Sequence, residues 1–173
     1  MTKTLFLLRH AHAQPFVDEA SDFSRELTSQ GRSAASAVGR WLRRRELASS
    51  TWLSSPAMRA KQTAELALLA AGVNSALTFV ATIYSGNAEA LLDLLVQGVA
   101  QECTQVVLVG HNPTIEHLAA LLLSSDERQQ ATPQFDPATL VELAYDGDWN
   151  KLTPGCATWI QSVAGRSLAA ATF

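Results

Sequence analysis

The sequence predicts an α/β fold: a single domain over residues 1–173, with a mostly parallel sheet held between two layers of helices. Two observations predict it. Apolar runs of strand length at Leu5 to Leu8, Thr51 to Ser54 and Val106 to Val109 alternate with helix-like segments, the pattern of parallel strands covered on both faces. The chain is also large enough for such a core, since 173 residues, 47% of them apolar and 17% charged, can bury a sizeable interior without staples.

Leu5 to Leu8 forms the first strand. A long helix then starts at Thr28 as N-cap and runs to about Glu46, with Ala34, Val38 and Leu42 as its buried stripe and Gly31 and Gly39 weakening it slightly. After the strand at Thr51 to Ser54, Ser55 and Pro56 read as N-cap and first residue of a helix that passes through Ala64 and Leu68 and stops before Gly72. Arg59 falls near its first turn. Leu77 to Val80 is a short strand, Ser85-Gly86-Asn87 a turn and cap, and Ala88 to Val99 a helix with Leu91, Leu92, Leu95 and Val99 on one side. The strand at Val106 to Val109 leads to Asn112-Pro113, a second cap-plus-proline signature, and a helix through Leu122. Ser124 to Pro137 is polar, carries Gln129-Gln130 and two prolines, and reads as a surface loop. Leu140 to Ala144 and Thr158 to Val163, around Asp146-Gly147-Asp148, predict a hairpin-like addition to the sheet edge.

A formal charge of −3 and a pI near 5.8 give no reason to expect nucleic acid or an anionic membrane as partner, so an anionic substrate would need local arginines. Cys103 and Cys156 lack the spacing of a disulfide framework or a zinc site. Met1 to Leu8 is too short for a signal peptide, and no run approaches the ~20 apolar residues that span a bilayer. The expectation is a cytoplasmic protein.

The chemistry-bearing residues fall at strand ends. Arg9 and His10 follow the first apolar run, where open α/β sheets place their ligands. Arginine offers a planar fork of donors that fits phosphate, and histidine serves as nucleophile or acid/base near neutral pH. Ser55-Pro56-Ala57-Met58-Arg59-Ala60-Lys61-Gln62-Thr63 adds a second arginine, and Gly110-His111-Asn112-Pro113 a second histidine. Phosphoryl transfer needs cationic donors around the equatorial oxygens and a nucleophile in line with the leaving group. Arg9 and Arg59 meet the first need, helped by helix N-termini after Ser55 and Asn112. His10 meets the second, and His111 donates to the phosphoryl oxygens.

These three motifs, in this order, resemble the histidine phosphatase superfamily, and the Arg9-His10-Ala11 form with the short chain resembles its small bacterial phosphohistidine phosphatases of the SixA type. Asp22-Phe23-Ser24-Arg25-Glu26-Leu27-Thr28-Ser29-Gln30-Gly31 is similar to the Asp-x-x-Arg-x-Leu-Thr-x-x-Gly signature of those short members. The resemblance, which runs from Leu5 to about Leu122, implies a phosphoglycerate mutase-like fold and assigns His10 as the phosphorylated nucleophile, with Arg9, Arg59 and His111 binding phosphate. It implies no metal or organic cofactor, and as partner a phosphorylated protein such as a histidine phosphotransfer domain. Arg25 has two readings, the rim of the phosphate pocket or an ion pair with Asp22 or Glu26.

One departure bears on the substrate. Larger phosphomonoesterases of the superfamily carry a catalytic acid after the second histidine or ahead of the Ser85 region; here Asn112 follows His111, and Ala81-Thr82-Ile83-Tyr84 has no carboxylate. An alkoxide leaves poorly without a proton, whereas phosphohistidine departs as neutral imidazole, so the missing acid favours a nitrogen-linked phosphate. Asp18, Glu19, Asp22 and Glu89 remain as alternative acids. Rival readings are a phosphatase for a small phosphorylated metabolite or nucleotide, and a catalytically silent phosphoprotein-binding module. A metal site begun by His10 and His12 is disfavoured by the adjacent Arg9. His117 has no catalytic role, Arg43-Arg44-Arg45 complements a helix end, and Trp41, Trp52, Trp149 and Trp159 serve as core or interface residues.

Overall fold

Strand β1, Thr2–Arg9, shows why the fold has three layers: along one apolar run Leu5 and Leu7 pack into one core cluster while Phe6 and Leu8 pack into another on the opposite face. The computed structural model describes residues 1–47, 50–130 and 134–171. The remaining strands are β2 Ser50–Ser54, β3 Leu77–Phe79, β4 Gln105–Gly110, β5 Thr139–Asp146 and β6 Thr158–Ala164. They form one sheet in the order β3-β2-β4-β1-β5-β6. The first four in that order are parallel; β5 runs antiparallel to β1 and β6 antiparallel to β5, the expected addition at the edge.

Helices α2 (Ser29–Arg43) and α3 (Met58–Ala71) cover the face that holds Phe6, Trp52 and Val107. Helices α5 (Ala88–Gly98) and α6 (Thr114–Leu122) cover the face that holds Leu5, Leu108 and Trp149. Thr28 caps α2 as predicted, its side chain accepting from the Gly31 amide, and Ala34, Val38 and Leu42 are buried. Gly39 is a packing device rather than a weakness, because a Cβ there would collide with the Ala67 carbonyl of α3. Asn87 caps α5 through the Ala90 amide, and Leu91, Leu95 and Val99 are buried on one side. Gly72 closes α3 at φ 68, the left-handed turn that glycine permits.

Several expectations are corrected. Helix α3 begins at Met58 with Ala57 as N-cap, not at Pro56 after Ser55: the Ser55 hydroxyl accepts the Ala57 amide ahead of the helix and also meets His111. Asn112 does not cap α6; the Asn112–Pro113 peptide is cis, Pro113 holds the N-cap position, and the Asn112 amide nitrogen donates to Glu116 and to the Phe135 carbonyl. The segment read as a loop contains α7, Ser125–Gln130, with Asp126 and Glu127 in its first turn and Arg128 in its last, which complements the dipole; Ala131 to Pro133 lie outside the described residues. Three further short helices carry no sequence signal of their own: α1 Glu19–Asp22, α4 Thr82–Ser85 and α8 Gly165–Ala170. The β5–β6 connection holds a 3-10 turn at Trp149–Lys151 instead of a tight hairpin. Among the described residues no helix is long and apolar enough to cross a membrane.

Candidate active site

Strand register brings the motifs together. Arg9 pairs with Gly110, and Ser54 with Val109, so the C-terminal ends of β1, β4 and β2 lie side by side. The ladder continues one step beyond the strands, with the His10 amide donating to the Gly110 carbonyl (3.0 Å) and the Ser55 amide to the Val109 carbonyl (3.0 Å). His10, His111 and Ser55 therefore emerge as neighbours, and the two imidazole centroids stand 5.1 Å apart. A cavity of about 350 Å³ opens over them, lined by Arg9, His10, Arg25, Arg59 and His111 among others. The expected nucleophile, His10, and the four residues considered for phosphate binding, Arg9, Arg25, Arg59 and His111, all line it.

The His10 ring has a defined tautomer. Its Nδ1 lies 2.8 Å from the Ala11 carbonyl, which can only accept, so Nδ1 carries the proton. Nε2 is left with its lone pair and accepts from Arg59 Nε at 3.3 Å. Burial lowers its pKa to about 3 against the pull of the Ala11 bond, helped by the charges of His111, Arg59 and Arg9. His111 is lowered to about 4, by burial first and then by Arg59, with Asp22 opposing. Its Nε2 lies 2.8 Å from the Ser55 hydroxyl, and its Nδ1 is buried without a hydrogen-bond partner among the described residues, as are Arg9 Nε and Asn112 Oδ1. The ring expected to donate to a phosphoryl group is thus already within hydrogen-bond distance of Ser55 through Nε2.

Arg59, 6% exposed on the first turn of α3, is fixed through all three nitrogens: Nε on His10, Nη1 on the Asp22 carbonyl (2.7 Å) and Nη2 on the Asp22 carboxylate (3.1 Å). Asp22 also accepts from Arg25 Nε (3.0 Å), Arg25 Nη2 (2.9 Å) and the Tyr84 hydroxyl (3.1 Å). Burial pushes its carboxyl up, but the Arg25 bonds and the Arg59 charge outweigh this and hold it below the usual carboxylate range. A carboxylate held in this way is a poor proton donor. Arg25 pairs with Asp22 and also lines the cavity. Arg9 donates from Nη1 to the Phe135 carbonyl at 2.6 Å, and its burial lowers its pKa while Asp136 and Glu116 oppose.

The motif positions have separate structural duties. Gln62 Oε1 accepts the Leu27 amide, and Thr63 Oγ1 accepts the Ala11 amide while donating to the Arg59 carbonyl. These bonds lash α3 to the loop after His10. Gly31 is required because a Cβ would collide with the His12 carbonyl. His12 bonds Thr28 and lines the mouth, whereas His117 is exposed on α6 and absent from the cavity lining. Of the alternative acids, Asp18 caps α1 and Glu89 lines a different groove, while the Glu19 side chain is outside the described residues. Of the two expected helix N-termini, that of α3 directs its Met58 amide to the Phe23 carbonyl. Ser55 and Tyr84 are site residues that the sequence reading did not assign.

Neutral histidines make stability depend on pH with a definite sign. His10 and His111 bind a proton less readily when folded, at about 3 and about 4, than at the ordinary value of 6.5. Stability is therefore full above the ordinary value and falls on acidification towards the folded values, by at most about 1.4 kcal/mol per pH unit for each ring. Melting temperature should drop between about pH 7 and pH 5, and His10→Gln should flatten that slope. An identical slope in the variant would refute the neutral buried ring.

Residues 5–78 match the family model described as histidine phosphatase superfamily (branch 1). An uncharacterized protein of Mycobacterium tuberculosis (strain H37Rv) is 29% identical over 158 residues, covering 88% of this chain and 96% of that one. The structure of a proposed phosphohistidine phosphatase SixA from Nakamurella multipartitia superposes with a TM-score of 0.79 at 29% identity, covering 94% of this chain and 96% of that one. A phosphoglycerate mutase from Bacillus anthracis (strain Sterne) shares the fold, with a TM-score of 0.62 at 16% identity over 98% of this chain and 96% of that one.

Proposed function

The chain belongs to the histidine phosphatase superfamily, and from that premise we propose that residues 1–173 form one catalytic domain, a cytoplasmic, metal-independent phosphatase that removes phosphoryl groups from phosphohistidine on a protein. His10 Nε2 attacks phosphorus, the P–N bond of the substrate breaks, and the departing imidazole leaves neutral once its other nitrogen is protonated. Water then attacks the phosphoryl group on His10 and releases inorganic phosphate. Arg9, Arg59 and Arg25 hold the equatorial oxygens, and His111 shares its N–H between Ser55 and the transferring group.

The observation that carries the nitrogen-linked reading is the charge of the cavity wall. Its described lining contains three arginines and three histidines but no carboxylate, and the nearby Asp22 is held ionised. A positioned acid contributes on the order of 100- to 10,000-fold to ester cleavage, and this wall supplies none. Phosphate release should therefore be at least about 100-fold more efficient from a phosphorylated histidine phosphotransfer domain than from a sugar phosphate or nucleoside monophosphate. EDTA should leave the rate unchanged. Equal efficiency on the sugar phosphate would establish a hidden acid, and loss of activity to EDTA with recovery by a divalent cation would establish a metal enzyme.

A further inference from the structure

Large apolar side chains stand exposed around one side of the cavity mouth. Phe16 is 56% exposed, Val17 79%, Phe23 46% and Tyr84 38%. Contacts place Phe16, Phe23 and Tyr84 beside the site, and Val17 follows Phe16 in the chain. The Arg25 guanidinium lies 6.0 Å from the Phe16 ring, Phe23 meets Tyr84 edge-on at 5.2 Å, and Tyr84 meets His111 edge-on at 5.6 Å. Isolated exposed apolar residues need no explanation, but aromatics gathered with an arginine beside a pocket have the composition of an interface anchor.

The cavity itself contrasts with this rim. Apart from Ala13, Pro15 and Pro137, its lining residues are polar or charged, so it offers a phosphoryl group much and the apolar body of a small substrate little. Apolar contact is available only outside, on the rim. A molecule that uses both must be large enough to fill the cavity with its phosphoryl group and still cover Phe16 and Phe23. The apolar arc lies beside the entry, so the body that delivers the phosphoryl group is the one placed to cover it.

We propose that Phe16, Val17, Phe23 and Tyr84 form a docking surface for a folded phosphoprotein domain, which lays an apolar face on this arc while its phosphohistidine enters the cavity beside Arg25. This rests on the phosphohistidine reading above and adds to it the recognition of the protein body. The arginines of the mouth match a partner surface that carries negative charge at the phosphorylated residue.

The test compares three probes: a histidine phosphotransfer domain phosphorylated with phosphoramidate, free phosphohistidine, and p-nitrophenyl phosphate. The unmodified protein should favour the domain over free phosphohistidine in kcat/KM. Phe16→Ser and Phe23→Ser together should lower kcat/KM for the domain about tenfold or more, through KM, and change that for p-nitrophenyl phosphate less than about twofold. Val17→Asp, on a side chain that is 79% exposed, should act in the same direction without any risk to folding from lost burial. Equal losses on the domain and on p-nitrophenyl phosphate would mean that the rim shapes the cavity, and would overturn docking. No preference for the domain over free phosphohistidine would overturn docking while leaving the phosphatase reading intact. A sedimentation change from dimer to monomer in the variants would identify a second copy of this chain as the occupant and overturn it too. Absence of release from either phosphohistidine probe, with release from p-nitrophenyl phosphate, would remove the proposed function first and docking with it.

Discussion

His10→Ala should eliminate the phosphoenzyme and lower turnover by on the order of 10,000-fold or more, because the proposed mechanism forms its covalent bond on that ring. The structural cost is small. The His10 amide still donates to the Gly110 carbonyl, and the ring lies at the end of β1, outside the core clusters of Leu5, Leu7, Phe6 and Leu8. Labelled substrate, rapid quenching and mapping of the modified residue provide the measurement. The adduct in the unmodified protein should be acid-labile and alkali-stable, as a phosphoramidate is, and should sit on His10 Nε2, the nitrogen that carries the lone pair. Label persisting at His111 or His12 in the variant would assign the nucleophile elsewhere.

The parts of the fold readable from sequence are those whose signal is local. Leu5 to Leu8 is continuously apolar because alternate residues meet different helical layers, and Thr28 opens α2 because its hydroxyl satisfies the Gly31 amide. Where one residue type serves two purposes, local reading goes astray. Ser55 before Pro56 has the form of an N-cap, yet its hydroxyl accepts the Ala57 amide and contacts His111, a partner 56 residues away. Asn112 before Pro113 has the same form and instead ties α6 to the Phe135 segment. Helix α7 is not legible in the sequence, because its six residues have no apolar periodicity and only charge placement marks it.

The site divides along the same line. Arg9, His10, Arg59 and His111 are legible because each lies at or just past a strand end or on a first helical turn, where parallel sheets present chemistry. What sequence cannot supply is pairing across distance. Asp22 was one of four candidate acids, and its duty follows from Arg59, 37 residues away, and Tyr84, 62 residues away. Ala81 to Tyr84 has no carboxylate, and its link to the site is instead the Tyr84 hydroxyl, which donates to Asp22.

The same pairing sets the second large effect, that of Arg59. Arg59 is 6% exposed, and Nη1 and Nη2 each spend one N–H on Asp22 and keep a second for phosphate, so binding requires little reorganisation of the guanidinium. Each charge-assisted bond to phosphate is worth about 1.5 to 3 kcal/mol, so losing two of them in Arg59→Ala should lower kcat/KM by about 100- to 10,000-fold. Arg59→Lys restores the charge but not the planar fork, and should recover only part of that loss. A spectroscopic signature separates this from simple misfolding. Arg59 is one of the charges that depress His10 and His111, and it also helps keep Asp22 ionised. In Arg59→Ala both histidines should therefore titrate at higher pH and Asp22 should move up as well, shifts that NMR titration of the folded variant reads directly. Full recovery by lysine would reduce Arg59 to a point charge, and unchanged histidine titration with unchanged kcat/KM would remove it from the phosphate site altogether.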